Sequence, residues 1–324
     1  MTEKKYKIEF APLQGYTEFV YRNAHNETFG GVDTYYTPFV RLEKGNSFRT
    51  RELRDIDQEN NTVENLIPQL IASSGDELKK IADLFISKGY KNADINMGCP
   101  FPLLVRRSKG AGILQHPELV EEILKCAEEI KELNFSVKMR LGWETPQESE
   151  RLVNMLNDSV VSQIALHARL GIQQYKGETD KDAFAHFYSL CKKPLLYNGD
   201  IKKIDDINDI TSRFPELSGV MIGRGLLANP ALAAEYKTGE IMDIATKKMK
   251  MRKLHEKVFE QYSSYLQGDK QLLEKMKPFW EYLSDELEKK TRKKIEKAHK
   301  ISDYESAVAL AFSQWGKVGL DIED

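Results

Sequence analysis

Long apolar runs are missing from this 324-residue chain: no window approaches 18 consecutive apolar residues, which excludes a conventional membrane-spanning helix. Cysteine is scarce. Cys99, Cys126 and Cys191 are odd in number and far apart, so they make no disulfide framework and suit a reducing cytoplasm. The opening Met-Thr-Glu-Lys-Lys-Tyr has no apolar core of a signal peptide, so a cytoplasmic chain is expected. No Cys/His set has metal-ligand spacing, so no metal is expected. No G-x-G-x-x-G follows a strand pattern, and no G-x-x-x-x-G-K-[ST] occurs. A Rossmann dehydrogenase and a P-loop enzyme therefore have no direct support. Disorder as the main state is excluded by 41% hydrophobic residues, ample for a core.

Net charge is small as well, at −2, but it is unevenly spread. Residues 247–300 hold 16 Lys/Arg against 9 Asp/Glu, while the remainder holds 32 against 41. An acidic body with a basic tail favours a nucleic-acid partner. A solvated helical face rich in Lys and Glu would give the same count.

Short apolar runs recur at 6–13, 34–40, 66–72, 93–97, 135–141, 160–167, 194–198 and 219–222. Helical patterns stand between many of them, at 75–88, 117–133, 146–156, 181–191 and 204–214. Eight strands with interleaved helices predict a (β/α)8 TIM barrel over residues 1–238, in preference to a doubly wound sheet. After Thr238-Gly239 the patterns are helical without strands, which predicts a small all-α domain over 239–324.

Barrel chemistry sits at the carboxyl ends of the strands. Those ends read Ala11-Pro12-Leu13-Gln14-Gly15, Gln69, Asn96-Met97-Gly98-Cys99-Pro100, Lys138-Met139-Arg140, His167-Ala168-Arg169, Asn198-Gly199-Asp200 and Gly223-Arg224-Gly225. The last two groups follow the final two strands, where barrels commonly bind phosphate. Glycine there lets backbone N–H groups approach, and Arg224 adds a charge-assisted contact. Lys138 would face into the mouth, able to stabilise negative charge that develops on a reduced ring, with His167 lining a cofactor. Cys99, between Gly98 and Pro100, would carry its thiol at the mouth as proton donor or nucleophile. Cys126 and Cys191 read as small helix-associated fillers.

Taken together these residues resemble the flavin-dependent tRNA-dihydrouridine synthases. Asp94-Ile-Asn-Met-Gly-Cys-Pro100 is similar to that family's most diagnostic motif. Ala11-Pro12, Gln69, Lys138–Gly142, His167-Ala-Arg169, Asn198-Gly-Asp200 and Met221–Gly225 stand around it in the family's order and spacing. The resemblance implies an oxidoreductase that reduces uridine in RNA, most readily tRNA, to 5,6-dihydrouridine, with FMN as cofactor and NADPH as reductant. It places the catalytic acid on Cys99. Flavin contacts fall on Pro12, Leu13, Gln14, Gln69, Lys138, His167, Asn198, Gly199, Asp200, Gly223 and Arg224. A helical RNA-binding domain and a monomer are expected with it.

The chain departs from that pattern in places. Phe101-Pro-Leu-Leu104 stands where one or two lysines are usual, Leu13-Gln14 where Met is commoner, and His167-Ala-Arg-Leu170 for His-Gly-Arg-Thr. Arg106, Arg107 and Lys109 are expected to keep the loop basic. Two alternatives stand beside this reading. One is an FMN barrel of the dihydroorotate-dehydrogenase type acting on a small substrate. The other is a non-catalytic RNA-binding barrel.

Overall fold

The computed structural model describes residues 5–316, apart from the side chains of 284–286. Nine parallel strands run as β1 (Lys7–Phe10), β2 (Thr34–Tyr36), β3 (Leu66–Ile67), β4 (Gln69–Leu70), β5 (Asn92–Met97), β6 (Asn134–Gly142), β7 (Gln163–Leu170), β8 (Leu195–Asn198) and β9 (Gly219–Ile222). Their order is β3-β2-β1-β9-β8-β7-β6-β5-β4. First and last strands pair in register, Lys7 with Gly219 and Phe10 with Ile222.

The ring closes through Pro68, so the run expected at 66–72 is one strand split in two. Proline has no N–H to give to a ladder. Its carbonyl still accepts from the Asp94 amide at 2.9 Å, and the halves pair on opposite sides, β3 with β2 and β4 with β5. The architecture is the (β/α)8 barrel that the alternation predicts. Close approach fixes one glycine: a Cβ on Gly219 would lie 2.3 Å from the Lys7 carbonyl oxygen.

Outer helices form where apolar residues recur at helical spacing. In Gly75–Ser87, capped by the Ser74 hydroxyl on the Glu77 amide, Leu78, Ile81, Ala82 and Phe85 are buried. Pro117 starts the helix Pro117–Glu129, which buries Val120, Ile123, Leu124 and Ala127. Each large apolar side chain so buried contributes about 1.5–3 kcal/mol.

The chain divides into two compact units. One is the barrel: the described residues up to Pro12, with Asp33–Ile201 and Asp205–Ile222. The other joins Leu13–Val32, Lys202–Ile204 and the described residues from Gly223 onward. In that second unit the helix Phe19–Thr28 lies against Ile244–Ser263. Lys257 pairs with Glu27 at 2.7 Å, Lys275 with Glu18 at 2.6 Å, and Lys250 donates to the Thr28 carbonyl at 2.8 Å. Its core gathers Trp280, His255, Phe312 and Tyr304. The Tyr304 hydroxyl meets Trp280 Nε1 at 2.9 Å and His255 Nε2 at 2.8 Å. Burial pushes the His255 imidazole down to about 3, so it stays neutral. Gly239, at φ +77°, ends the helix Leu232–Thr238 in the left-handed conformation that glycine takes freely. No helix among the described residues is long and apolar enough to cross a membrane.

Candidate active site at the barrel mouth

Strand register determines which side chains meet. Asn96 lies level with Lys138, Arg140 with His167, and His167 with Asn198. Because side chains alternate along a strand, Lys138 and Arg140 share one face of β6, one layer apart.

Below them the barrel interior holds two buried carboxylates. Glu9 accepts from the Tyr36 hydroxyl at 2.6 Å and from the Gln163 amide at 3.2 Å. Burial raises its pKa to about 7. Asp94 accepts from Gln69 Nε2 at 2.7 Å and from the Ser136 hydroxyl at 2.6 Å, and burial raises it to about 6. Ala11, Tyr36, Ala165, Leu196 and Met221 form a buried hydrophobic cluster inside the barrel.

From Asp94 a chain of amides runs to the cysteine. A carboxylate can only accept, so it turns Gln69 Nε2 toward itself. Gln69 Oε1 then faces Asn96 Nδ2 at 2.8 Å, and Asn96 Oδ1 accepts the amide N–H groups of Gly98 (3.1 Å) and Cys99 (2.9 Å). This is an Asx turn, and it fixes the backbone that carries the thiol. From the other side Arg140 donates to the Gly98 carbonyl and to the Leu170 carbonyl, both at 2.9 Å, tying the β5 and β7 loops together. The Cys99 carbonyl accepts from Ala111 at 2.9 Å. Gly110, at φ +60°, has no room for a side chain, since a Cβ would lie 2.5 Å from the same carbonyl oxygen. Cys99 packs beside Phe39, Ile71 and Leu104. Burial raises its thiol pKa, only partly offset by a hydrogen bond from the Phe101 backbone and by the charges of Arg140, Lys138 and Arg41. The sulfur is therefore held as S–H at neutral pH, the state a proton donor requires and a nucleophile does not.

Lys138 keeps a little accessible surface but is densely surrounded by protein. Burial, with Arg140 nearby, lowers its pKa to about 8. Among the described residues its ammonium makes one hydrogen bond, to Asn198 Oδ1 at 3.0 Å, and so keeps two N–H groups for a ligand. Arg140, also buried, is lowered to about 10 and lies under the Tyr175 ring at 5.4 Å. His167 is 6% exposed, its ring 6.3 Å from that of Tyr175. Arg169 is 2% exposed; it grips the Asp200 carboxylate with both Nη atoms, donates to the Gly177 carbonyl at 2.6 Å, and leaves a buried Nε–H without a partner among the described residues.

Gln69, Lys138, His167, Asn198 and Cys99 thus meet at one end of the barrel, with Pro12 at the end of β1. Two of the expected contacts act differently from the sequence reading, which had put the whole 198–200 loop on phosphate. Asn198 points inward, donating to the Met221 carbonyl at 2.7 Å and receiving Lys138. The Asp200 carboxylate is committed to Arg169, and its like charge would repel a phosphate. Gly199 has no room for a side chain, since a Cβ would lie 2.7 Å from Thr179 Cγ2. Lys109 does not make the loop basic either, because it is buried in an ion pair with Glu77 at 2.7 Å.

Leu13, Gln14, Gly223 and Arg224 belong to the second unit. There the Leu13 amide donates to the Thr17 hydroxyl at 2.8 Å, Gln14 is exposed, and Gly223 precedes the short helix Arg224–Ala228. Asn96, Arg140, Asp94 and Arg169 were not singled out as site residues. The Asn-x-x-Cys spacing was a readable signal for Asn96, and Lys-x-Arg on one strand face was one for Arg140. No group of three or more potential metal ligands occurs among the described residues.

Comparison with known proteins bears on this geometry directly. The sequence model of the dihydrouridine synthase (Dus) family matches residues 9–314. The chain belongs to the dihydrouridine synthase family. With membership comes the enzyme class, a flavin-dependent oxidoreductase. One relative is the Aquifex aeolicus protein described as "Probable tRNA-dihydrouridine synthase", 30% identical over 76% of this chain and 78% of its own length. Another is the tRNA-dihydrouridine(16) synthase of Pseudomonas syringae pv. tomato, 29% identical over 72% of this chain and 75% of its own length. Among solved structures the barrel is similar to morphinone reductase, with a TM-score of 0.53 at 10% identity over 74% of this chain and 88% of that one. The old yellow enzyme of Trypanosoma cruzi aligns equally, at TM-score 0.53 and 9% identity over 73% and 89%. At such identities these neighbours speak to the fold alone. Membership of the Dus family favours neither a small-substrate barrel of the dihydroorotate-dehydrogenase type nor a non-catalytic scaffold.

Proposed function

We propose that this member of the Dus family reduces the C5–C6 double bond of uridine in tRNA to 5,6-dihydrouridine, with FMN bound in the barrel mouth, NADPH as reductant and Cys99 as the acid. The observation that carries the reading is a thiol kept protonated by burial, on a backbone fixed by Asn96 and Arg140, beside an ammonium with unused donors. The residues present fit a flavin. Lys138, with donors open at the mouth, suits the electron-rich edge of a reduced ring. Bound FMN supplies the hydride that reaches C6. Pro12, Gln69, Lys138, His167 and Asn198 would hold the ring and Gly199 would offer backbone to phosphate, with Leu13, Gln14, Asp200, Gly223 and Arg224 as further flavin contacts in this reading. Cys99 gives its S–H proton to C5 of the base, and the thiolate left behind is stabilised by Arg140 and Lys138 until solvent returns the proton.

Residues 1–238 form the catalytic part in this reading, and 239–324 bind RNA. Lys289, Lys290, Lys293, Lys294 and Lys297 are exposed along the helix Lys289–Lys297. Three of them border a groove of about 430 Å³ beside Ile301–Gln314. Arg292, by contrast, is paired with Glu296 at 2.8 Å. The test is a pair of single-turnover half-reactions. Cys99→Ala is expected to lose about 10²–10⁴-fold in uridine reduction, the usual worth of a general acid, while NADPH still reduces the flavin. Loss of flavin reduction with uridine reduction intact would remove Cys99 from this role.

A further inference from the structure

The loop that carries Cys99 has two faces. Inward, Leu104 is buried against Phe39 and Ile71, beside the cysteine. Outward, Phe101 and Leu103 are 52% and 59% exposed, although both are large and apolar. The segment is well braced. Leu104 and Val105 donate to the Phe101 carbonyl at 2.9 and 3.1 Å, Arg106 to the Pro102 carbonyl at 3.0 Å, and Lys109 to the Leu104 carbonyl at 3.0 Å. The buried Lys109–Glu77 pair pins its far end. Exposed apolar groups on so fixed a base point to a partner that covers them.

The chemistry of that partner is legible on the same turn. Arg106 and Arg107 lie three and four residues after Leu103, hence on its side of the helical turn, and both are exposed. Neither guanidinium has a carboxylate partner among the described residues, and residues 100–109 contain no acid. An apolar tip flanked by two free cations, beginning two residues after the thiol, matches a nucleobase with its adjoining phosphates.

We propose that Phe101 and Leu103 form a wedge that packs on the base next to the target uridine and fills the gap left when the uridine turns out, while Arg106 and Arg107 take the flanking phosphates. This rests on the RNA-uridine reading above. A uridine in folded RNA must be unstacked before it reaches Cys99, and a wedge offsets that cost. In an unstructured strand there is little stacking to replace.

Phe101→Ser, Leu103→Ser and Phe101→Trp can be compared with the wild type in single-turnover uridine reduction. The substrates are total tRNA from cells lacking the enzyme, and the same tRNA cut into short single-stranded fragments. Both Ser variants are expected to lose at least about tenfold on intact tRNA and less than about threefold on fragments, with flavin reduction by NADPH unchanged and Phe101→Trp near wild type. Equal losses on the two RNAs, or less than threefold loss on intact tRNA, overturn the wedge. So do fragments that the wild type cannot reduce at any concentration, because a wedge is dispensable where no stack is opened. A wild type that accepts electrons from NADPH but reduces uridine in neither RNA overturns the functional reading itself, and the wedge with it.

Discussion

Replacing Lys138 by Met, which keeps the length of the side chain and removes its charge, is expected to stabilise the flavin-free protein while weakening the flavin. A depression of the ammonium from 10.5 to about 8 corresponds to about 3 kcal/mol, at about 1.36 kcal/mol per pH unit. Water at the mouth screens part of this, leaving about 2–3 kcal/mol. Against that gain, Asn198 Oδ1 loses its donor, at a cost of about 1 kcal/mol where water can replace it. The net expectation at pH 7 is about 1–2 kcal/mol in favour of the variant. The pH profile gives an independent sign. The folded pKa lies below the unfolded one, so the penalty is fully present below about 8 and disappears as pH rises toward 10.5, where neither state holds the proton. Urea unfolding of the flavin-free wild type should therefore gain about 2–3 kcal/mol across that window relative to Lys138→Met. Flavin affinity, measured by fluorescence titration, should move the opposite way. A variant less stable than wild type at pH 7, or parallel profiles from pH 8 to 10.5, would refute the assignment of Lys138 as a charge held at a cost for a ligand.

Asp94→Asn should change stability by less than about 1 kcal/mol, because relief of the buried charge offsets weaker bonds and the Ser136 hydroxyl can reverse to accept. The equally isosteric Gln69→Glu sets a second carboxylate against Asp94. One of the two must keep a proton, so its deficit should grow to about 2–4 kcal/mol as pH rises from 5 to 8, and equal behaviour of the two variants in denaturant would contradict the amide chain. Reversing Lys289, Lys290, Lys293 and Lys294 should reduce the slope of log K for tRNA against log salt by about 0.7–0.9 per phosphate contact, and an unchanged slope would make them a solvated face. Arg224→Ala should weaken flavin retention through loss of a charge-assisted contact worth about 1.5–3 kcal/mol, and undiminished retention in gel filtration would exclude that contact.

The barrel was legible because its strands are buried on both sides and read as apolar runs, and because their ends carry polar groups that burial alone does not explain. Pro68 hid the split of the third strand, since 66–72 reads as one run and nothing in it shows that pairing changes sides there. The helix Phe19–Thr28 was missed for a different reason. Its buried face includes Arg22, His25 and Thr28, which bond the Thr17, Pro230 and Ala24 carbonyls, and no hydrophobic period announces such a face. At the site, Cys99, Lys138 and His167 could be named from position alone. What they touch depends on register and on pairs far apart in sequence. Asp200 lies 31 residues from Arg169, and Lys109 lies 32 from Glu77, so a carboxylate read as part of a phosphate loop and a lysine read as an RNA contact each proved to be half of an internal pair.

Four buried ionisable groups lie along the inside of this barrel, each pushed toward neutrality by burial: Glu9 to about 7, Asp94 to about 6, Lys138 to about 8 and Arg140 to about 10. They differ in how fully they are satisfied. Both oxygens of Glu9 and both of Asp94 accept hydrogen bonds from neighbouring side chains, so the floor has spent its polar capacity internally. At the mouth, among the described residues, Lys138 has one partner for three donors and the Nε–H of Arg169 has none. A buried donor left open carries a cost, and a ligand that accepts from it removes that cost. The contrast between a saturated acidic floor and a lysine with open donors therefore orients the site: an anionic or electron-rich group is drawn to Lys138, while the acids beneath are already fully bonded.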